Sequence, residues 1–151
     1  MALTILDAGV IIAILDSSDA HHAAAREALT GARSRGEELA IPASAYAEVL
    51  VGPFRQGADA VAEVDEFLAA LPARVEPASR EIAATAARMR AQHGTKLRLP
   101  DALVVATAVE LGAAALLLTT DAGWPSLPIH VTVVAGSAIP DAEDAGGSPH
   151  E

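Results

Sequence analysis

The sequence predicts an α/β fold, a three-layer α/β/α arrangement with a central, mainly parallel sheet of about five short strands. Two patterns point there. Apolar runs of strand length recur along the chain, and helical segments separate them, so consecutive strands need crossover connections and lie parallel. Apolar residues also make up 52% of the 151 residues while aromatics are only 3%, which supplies one ample core built mainly from Ala, Val, Leu and Ile.

The elements follow in order. "ALTIL" (2–6) is a buried strand bounded by Asp7, Ala8 and Gly9, and "VIIAIL" (10–15) is helical. Asp19 is the expected N-cap of the helix "AHHAAAREALTGARSR" (20–35), which Gly36 closes. "ELAIP" (38–42) is a second strand, because Pro42 cannot continue it, and Ser44 is placed to cap the helix "AYAEVLVGPFRQ" (45–56). In "DAVAEVDEFLAAL" (59–71), Val61, Val64, Phe67, Leu68 and Leu71 share one face, so that face packs and the acids turn to water. "ARVEP" (73–77) is a third strand, and "SREIAATAARMRAQHG" (79–94) is a helix that Gly94 stops. "LPDALVVATAVELG" (99–112) is the next helix. "AAALLLTTD" (113–121) holds a strand ending in a polar turn, "DAGWPSLP" (121–128) is a loop, and "IHVTVV" (129–134) alternates as the last strand. No internal repeat is visible. The expected organisation is one domain over 1–135 and an acidic, disordered tail over 136–151, where Asp141, Glu143, Asp144 and Glu151 gather.

Composition excludes several classes. The chain has no cysteine, so neither a disulfide framework nor a thiolate metal site is available. Its start lacks a basic leader and no apolar stretch approaches the roughly 20 residues of a membrane span, so a soluble, cytoplasmic protein is expected. The net charge of −10 argues against a broad nucleic-acid-binding surface. The basic residues are unevenly spread, however: Arg80, Arg88, Arg90, Lys96 and Arg98 are half of the 10 and directly precede Asp101, which allows a local positive rim or, equally, an ordinary solvated helix face.

Four acids carry the chemistry. In open parallel sheets the functional crevice lies beyond the carboxyl ends of the strands. Asp7 and Asp121 directly follow two predicted strands, and Asp101 opens the helix that feeds the second of these. Glu48 lies one turn into the helix after another strand, one place beyond the position a capping box from Ser44 would use, and near the apolar or small residues Ala45, Val49 and Gly52. Two of the acids have an ordinary alternative: Asp101 follows Pro100 and complements the helix dipole, and Asp7 could close a turn on its own backbone. Together they are harder to dismiss, since two carboxylates about 4 Å apart repel by roughly 4 kcal/mol at an effective dielectric of 20. Either some are protonated or a cation joins them; with oxygen ligands alone it would be hard, Mg²⁺ or Mn²⁺, carrying a water suited to attack on a phosphodiester. His21 and His22 are adjacent and diverge on a helix, and His93, His130 and His150 are isolated, so none is an expected ligand. Trp124 either stacks on a base or caps the edge of the core.

The segments "ILDAGVIIAIL", "PASAYAEVL" and "RLPDALVVATAVELGAAALLLTTD" together resemble the PIN-domain nucleases, most closely the VapC-type toxins of bacterial toxin–antitoxin pairs, over residues 3–134. The resemblance implies a PIN-like α/β/α fold and a metal-dependent endoribonuclease. Asp7, Glu48, Asp101 and Asp121 would then be the catalytic and metal-binding acids, Thr119 a supporting residue, and Mg²⁺ or Mn²⁺ the cofactor. Cleavage of RNA would leave a 5′-phosphate and a 3′-hydroxyl, with Glu48 or Asp101 orienting the water. The implied partners are a VapB-type antitoxin that lies in the toxin's groove and aims a basic side chain at the acids, and a second copy in a homodimer. One position departs from the pattern. The family commonly carries Ser, Thr or Asn two residues after its first aspartate, where this chain has Gly9.

Two other readings are open to these residues. A phosphatase or phosphotransferase could use Asp7 as a covalent nucleophile, although such enzymes typically want a second acid where Gly9 stands. A receiver-type module would need a lysine after a late strand, and the only lysine is Lys96. The non-enzymatic alternative is an inactive PIN-like binding module whose acids merely cap helices and turns.

Overall fold

The structure is a computed structural model that describes residues 2–112 and 115–136. Apart from Gly136, the expected acidic tail lies outside the described residues. The chain runs β1 (Leu3–Leu6), α1 (Ala8–Leu15), α2 (His22–Ser34), β2 (Glu38–Pro42), α3 (Ala43–Gln56), α4 (Ala58–Ala70), β3 (Ala73–Glu76), α5 (Arg80–His93), a 3-10 turn (Gly94–Lys96), α6 (Leu99–Leu111), β4 (Ala115–Thr119) and β5 (His130–Val133). The five strands form one sheet in the order β3-β2-β1-β4-β5, and every pairing is parallel. This is the expected α/β/α fold, with a sheet wholly rather than mainly parallel.

β1 lies at the centre and all four of its residues are buried. From it the chain winds outward to β2 and β3, then returns to the other side of β1 to lay down β4 and β5. The order therefore reverses beside β1, and the crevice of such a sheet opens beyond the carboxyl ends of the strands that flank the reversal, here β1 and β4. Ile5, Leu6, Ile41 and Leu117 from the three inner strands, with Val10, Ile11 and Val105 from the helices, are fully buried and form the aliphatic centre of the core.

Two helix starts differ from the sequence expectation. Asp19 does not cap α2; its Oδ1 accepts the His21 N–H at 2.7 Å, closing a turn just before the helix. Ser44 does not cap α3, because the helix opens at Ala43 directly after Pro42, whose φ of −58° is already close to helical. Ser79 does cap α5, accepting the Ile82 N–H at 3.1 Å. Trp124 is half-buried and packs against the core, so it caps the core edge rather than presenting a free stacking face.

The link from α5 to α6 decides where Asp101 stands. Gly94 leaves α5 with φ of +59°, a conformation that favours glycine, and the 3-10 turn delivers Leu97 into the core with no exposed surface. Leu97 thereby anchors the start of α6. Leu97→Ala is expected to cost about 2–5 kcal/mol, read as a lower midpoint in urea denaturation.

Candidate active site

Asp7 stands where β1 gives way to α1 and is 7% exposed. Its Oδ1 accepts the N–H of Ala8 at 2.8 Å, which makes Asp7 the N-cap of α1. Its Oδ2 accepts the hydroxyl of Thr119 at 2.7 Å. Thr119 is fully buried at the end of β4, and its Oγ1 in turn accepts the N–H of Asp121 at 3.1 Å. The parallel register places Leu6 opposite Leu118, and the Asp7 N–H donates to the Leu118 carbonyl at 3.0 Å. The residues leaving β1 and β4 thus emerge side by side. Asp121 is exposed, and its Oδ1 accepts the Gly123 N–H at 2.7 Å, folding the turn that follows β4.

Asp101 occupies the first turn of α6 just after Pro100. Its side chain is 15% exposed, and Arg98 Nε lies 3.5 Å from its Oδ2. Glu48 differs from the sequence expectation: the small and apolar residues near it on α3 do not bury it, and it is exposed. Val49 is itself buried in the core, and with Gly52 and Glu48 it borders a groove between α1, α3 and α4, so small and apolar neighbours on the helix do not distinguish a groove wall from a core face.

The four acids act on one another. Burial pushes the Asp7 carboxyl up from the ordinary 3.8 to about 6; its two hydrogen bonds oppose the rise, and the charges of Asp101 and Glu48 add to it. Burial also raises Asp101, against the nearby Arg98 and with the help of Asp121. Asp7 therefore feels Asp101 and Glu48, and Asp101 feels Asp121. Among the described residues the only ion pair made by any of the four is the one between Arg98 and Asp101, and Arg98 is largely exposed. This is an under-compensated negative site.

The donor chemistry suits a hard, hydrated divalent ion. Every candidate ligand is a carboxylate oxygen, and two of the carboxyls are held above their ordinary range. Among the described residues no three acids or histidines converge closely enough to form a complete metal cage. Mg²⁺ is commonly held by only one or two carboxylates with water in its other positions, so Asp7 and Asp101, with Asp121 and Glu48 at the margin, fit that mode.

A match to the PIN domain spans residues 4–129, which includes all of β1 but its first residue and all four acids. The chain belongs to the PIN-domain family. Solved structures with the same fold include a toxin–antitoxin complex from Klebsiella pneumoniae, at 23% identity and a TM-score of 0.64, covering 88% of this chain and 98% of that one. VapBC2 from Rickettsia felis, bound to a DNA fragment from its promoter, gives 16% identity and a TM-score of 0.68 with coverages of 87% and 98%. VapBC-1 from nontypeable Haemophilus influenzae gives 17% and 0.57, with coverages of 78% and 85%. Comparison with curated proteins gives no match.

In this PIN domain the buried carboxyl of Asp7 opposes folding once it ionises. The folded chain holds its proton up to about pH 6, whereas the unfolded chain releases it near 3.8. Native Asp7 thus binds the extra proton between those values, and stability falls as pH rises through that window, by up to about 3 kcal/mol in the absence of a cation. Asp7→Asn keeps the shape and removes the charge. In EDTA at pH 7.5 the variant is expected to be more stable than the wild type, by about 1–3 kcal/mol, and this advantage should shrink as the pH falls to 4.5. Chemical denaturation across that range checks it; a gap that is constant with pH would contradict it.

Proposed function

We propose that this PIN domain is a metal-dependent endoribonuclease and the toxin of a toxin–antitoxin pair. The observation that carries this reading is Asp7: a buried carboxyl at the carboxyl end of the central strand, under the influence of the charges of Asp101 and Glu48 and without an ion pair among the described residues. Asp7 and Asp101 would hold Mg²⁺ or Mn²⁺, with Asp121 and Glu48 contributing from the rim and Thr119 fixing the Asp7 oxygen. A bound divalent ion supplies a water of lowered pKa and offsets phosphate charge. Glu48 or Asp101 would orient that water for attack on the RNA phosphate, leaving a 5′-phosphate and a 3′-hydroxyl. Arg98, exposed beside Asp101, offers the approaching backbone a local positive charge on a chain of net charge −10.

The covalent alternative is weakened at position 9. A phosphatase or phosphotransferase that attacks through Asp7 would want a second acid there, and any Cβ added to Gly9 would overlap Thr120 Oγ1.

The partner reading rests on the groove. Ile12 and Leu15 of α1 are 40% and 43% exposed, and they face Val49 and Pro53 of α3 and Val64 of α4 across a cavity of about 500 Å³. Glu48 and Glu63 line the same groove. It suits an apolar segment carrying a cationic side chain, and the solved structures of similar fold include toxin–antitoxin complexes. Among the described residues no helix is long and apolar enough to cross a membrane.

The test is incubation of the full chain with labelled RNA in Mg²⁺, Mn²⁺ or EDTA. Cleavage is expected only with the metal, and Asp101→Asn should lower it by about 100-fold or more while the protein remains folded by circular dichroism. Metal-independent cleavage, or full activity of Asp101→Asn, would overturn the assignment, and a folded wild type that cuts no RNA would favour the inactive binding module. Arg98→Ala should weaken RNA binding and reduce the slope of log affinity against log salt by about 1. Leu15→Asp should abolish co-purification with a co-expressed antitoxin and leave RNA cleavage by the free toxin unchanged.

A further inference from the structure

Among the described glycines, Gly9 is the only one whose added Cβ would collide outright with another residue. The obstructing atom is Thr120 Oγ1; Thr120 Cβ and Cγ2 follow at 3.5 and 3.7 Å. Gly9 lies inside α1, two residues after Asp7, and is not among the glycines with positive φ. Backbone freedom therefore does not account for a residue that costs a helix up to about 1 kcal/mol relative to alanine. Room for the threonine hydroxyl does.

Thr119 and Thr120 send their hydroxyls to different places at the start of α1. Thr119 donates to Asp7 Oδ2 and accepts from the Asp121 N–H, so its bonding organises the strand end and the turn. Those bonds, with the Asp121 to Gly123 contact, hold the turn through Thr119 and Asp121 and do not use the Thr120 hydroxyl. Thr120 Oγ1 stands over Gly9, half-buried, with Asp7 and Asp121 each within two residues of the contact. A hydroxyl can donate one hydrogen bond and accept two, which suits the mixed oxygen shell of carboxylates and waters around a hydrated ion.

We propose that Thr120 is a positioning residue of the acid site: its Oγ1, seated over Gly9 in the first turn of α1, orders the oxygen shell of the bound divalent ion in the place a polar side chain at residue 9 would otherwise occupy. This inference rests on the metal-dependent reading above. It makes Gly9 and Thr120 a matched pair, in which the missing side chain of one leaves room for the hydroxyl of the other.

The experiment is calorimetric titration of the full chain with Mn²⁺, with thermal denaturation in EDTA as the check on folding. Thr120→Val should weaken Mn²⁺ binding by about tenfold, the scale on which outer-shell partners of a metal act, and Thr120→Ser should restore wild-type affinity. Thr120→Ala should lose affinity likewise, and Gly9→Ser introduced into that background should recover it by returning an oxygen to the vacated space. Gly9→Ser alone should displace the Thr120 hydroxyl and weaken binding. Unchanged affinity in Thr120→Val, or no recovery in folded Gly9→Ser/Thr120→Ala, would overturn this inference alone. Absence of Mn²⁺ uptake by the wild type would overturn the metal-dependent reading and this inference with it.

Discussion

A buried carboxylate, Asp7, at the end of the central strand, tied to the neighbouring strand and without an ion pair among the described residues, is the feature to which the rest of the molecule answers. Asp7 accepts one hydrogen bond from the first turn of α1 and one from Thr119 across the β1–β4 seam. Those bonds fix both oxygens, yet they do not overcome the loss of water, since the carboxyl is still held at about 6. A fold that wanted only a helix cap would have tolerated Ser or Asn there. An acid in that place, influenced by the charges of Asp101 and Glu48, is what the proposed metal-dependent reading requires.

The topology explains which elements carry the four acids. Strand order reverses beside β1, so the ends of β1 and β4 lie next to each other, with α1 leaving the first and a turn and loop leaving the second. Asp7 and Asp121 come from the strand ends, Asp101 from the first turn of the helix preceding β4, and Glu48 from the helix following β2. Each carboxylate comes from a different segment of the fold, Asp121 from a turn and the others from the end of a strand or from a helix. The groove where Ile12 and Leu15 are partly exposed is also lined by Glu48, the one of the four acids that it reaches.

Much of this is legible in the sequence, for physical reasons that also mark where legibility ends. The strands are visible because Asp7, Pro42 and the Thr119–Asp121 turn stop short apolar runs, and burial on both faces makes those runs nearly uniformly apolar. Caps are less visible: Asp19 and Ser44 have the right chemistry, but Pro42 starts α3 without help and Asp19 spends its oxygen on a turn. The exposure of Glu48 is hidden because a groove wall and a core face share the same apolar spacing along a helix. The Gly9–Thr120 contact is hidden for a different reason. Periodicity is local, whereas these residues meet only through sheet pairing, and Gly9 viewed alone looks like the loss of a polar group.

The hydrogen bond between Thr119 and Asp7 spans 112 positions of chain. A ribosome working from the N-terminus releases the acid early and its hydroxyl partner only after most of the domain has been made. β1 must wait at the middle of an unfinished sheet, flanked by β2 alone, until β4 closes a loop almost as long as the domain itself. Such distant pairing slows folding relative to locally paired architectures. A chain interrupted before β4 would lack both Thr119 and Asp121 and could not make the bond that holds Asp7 at the seam.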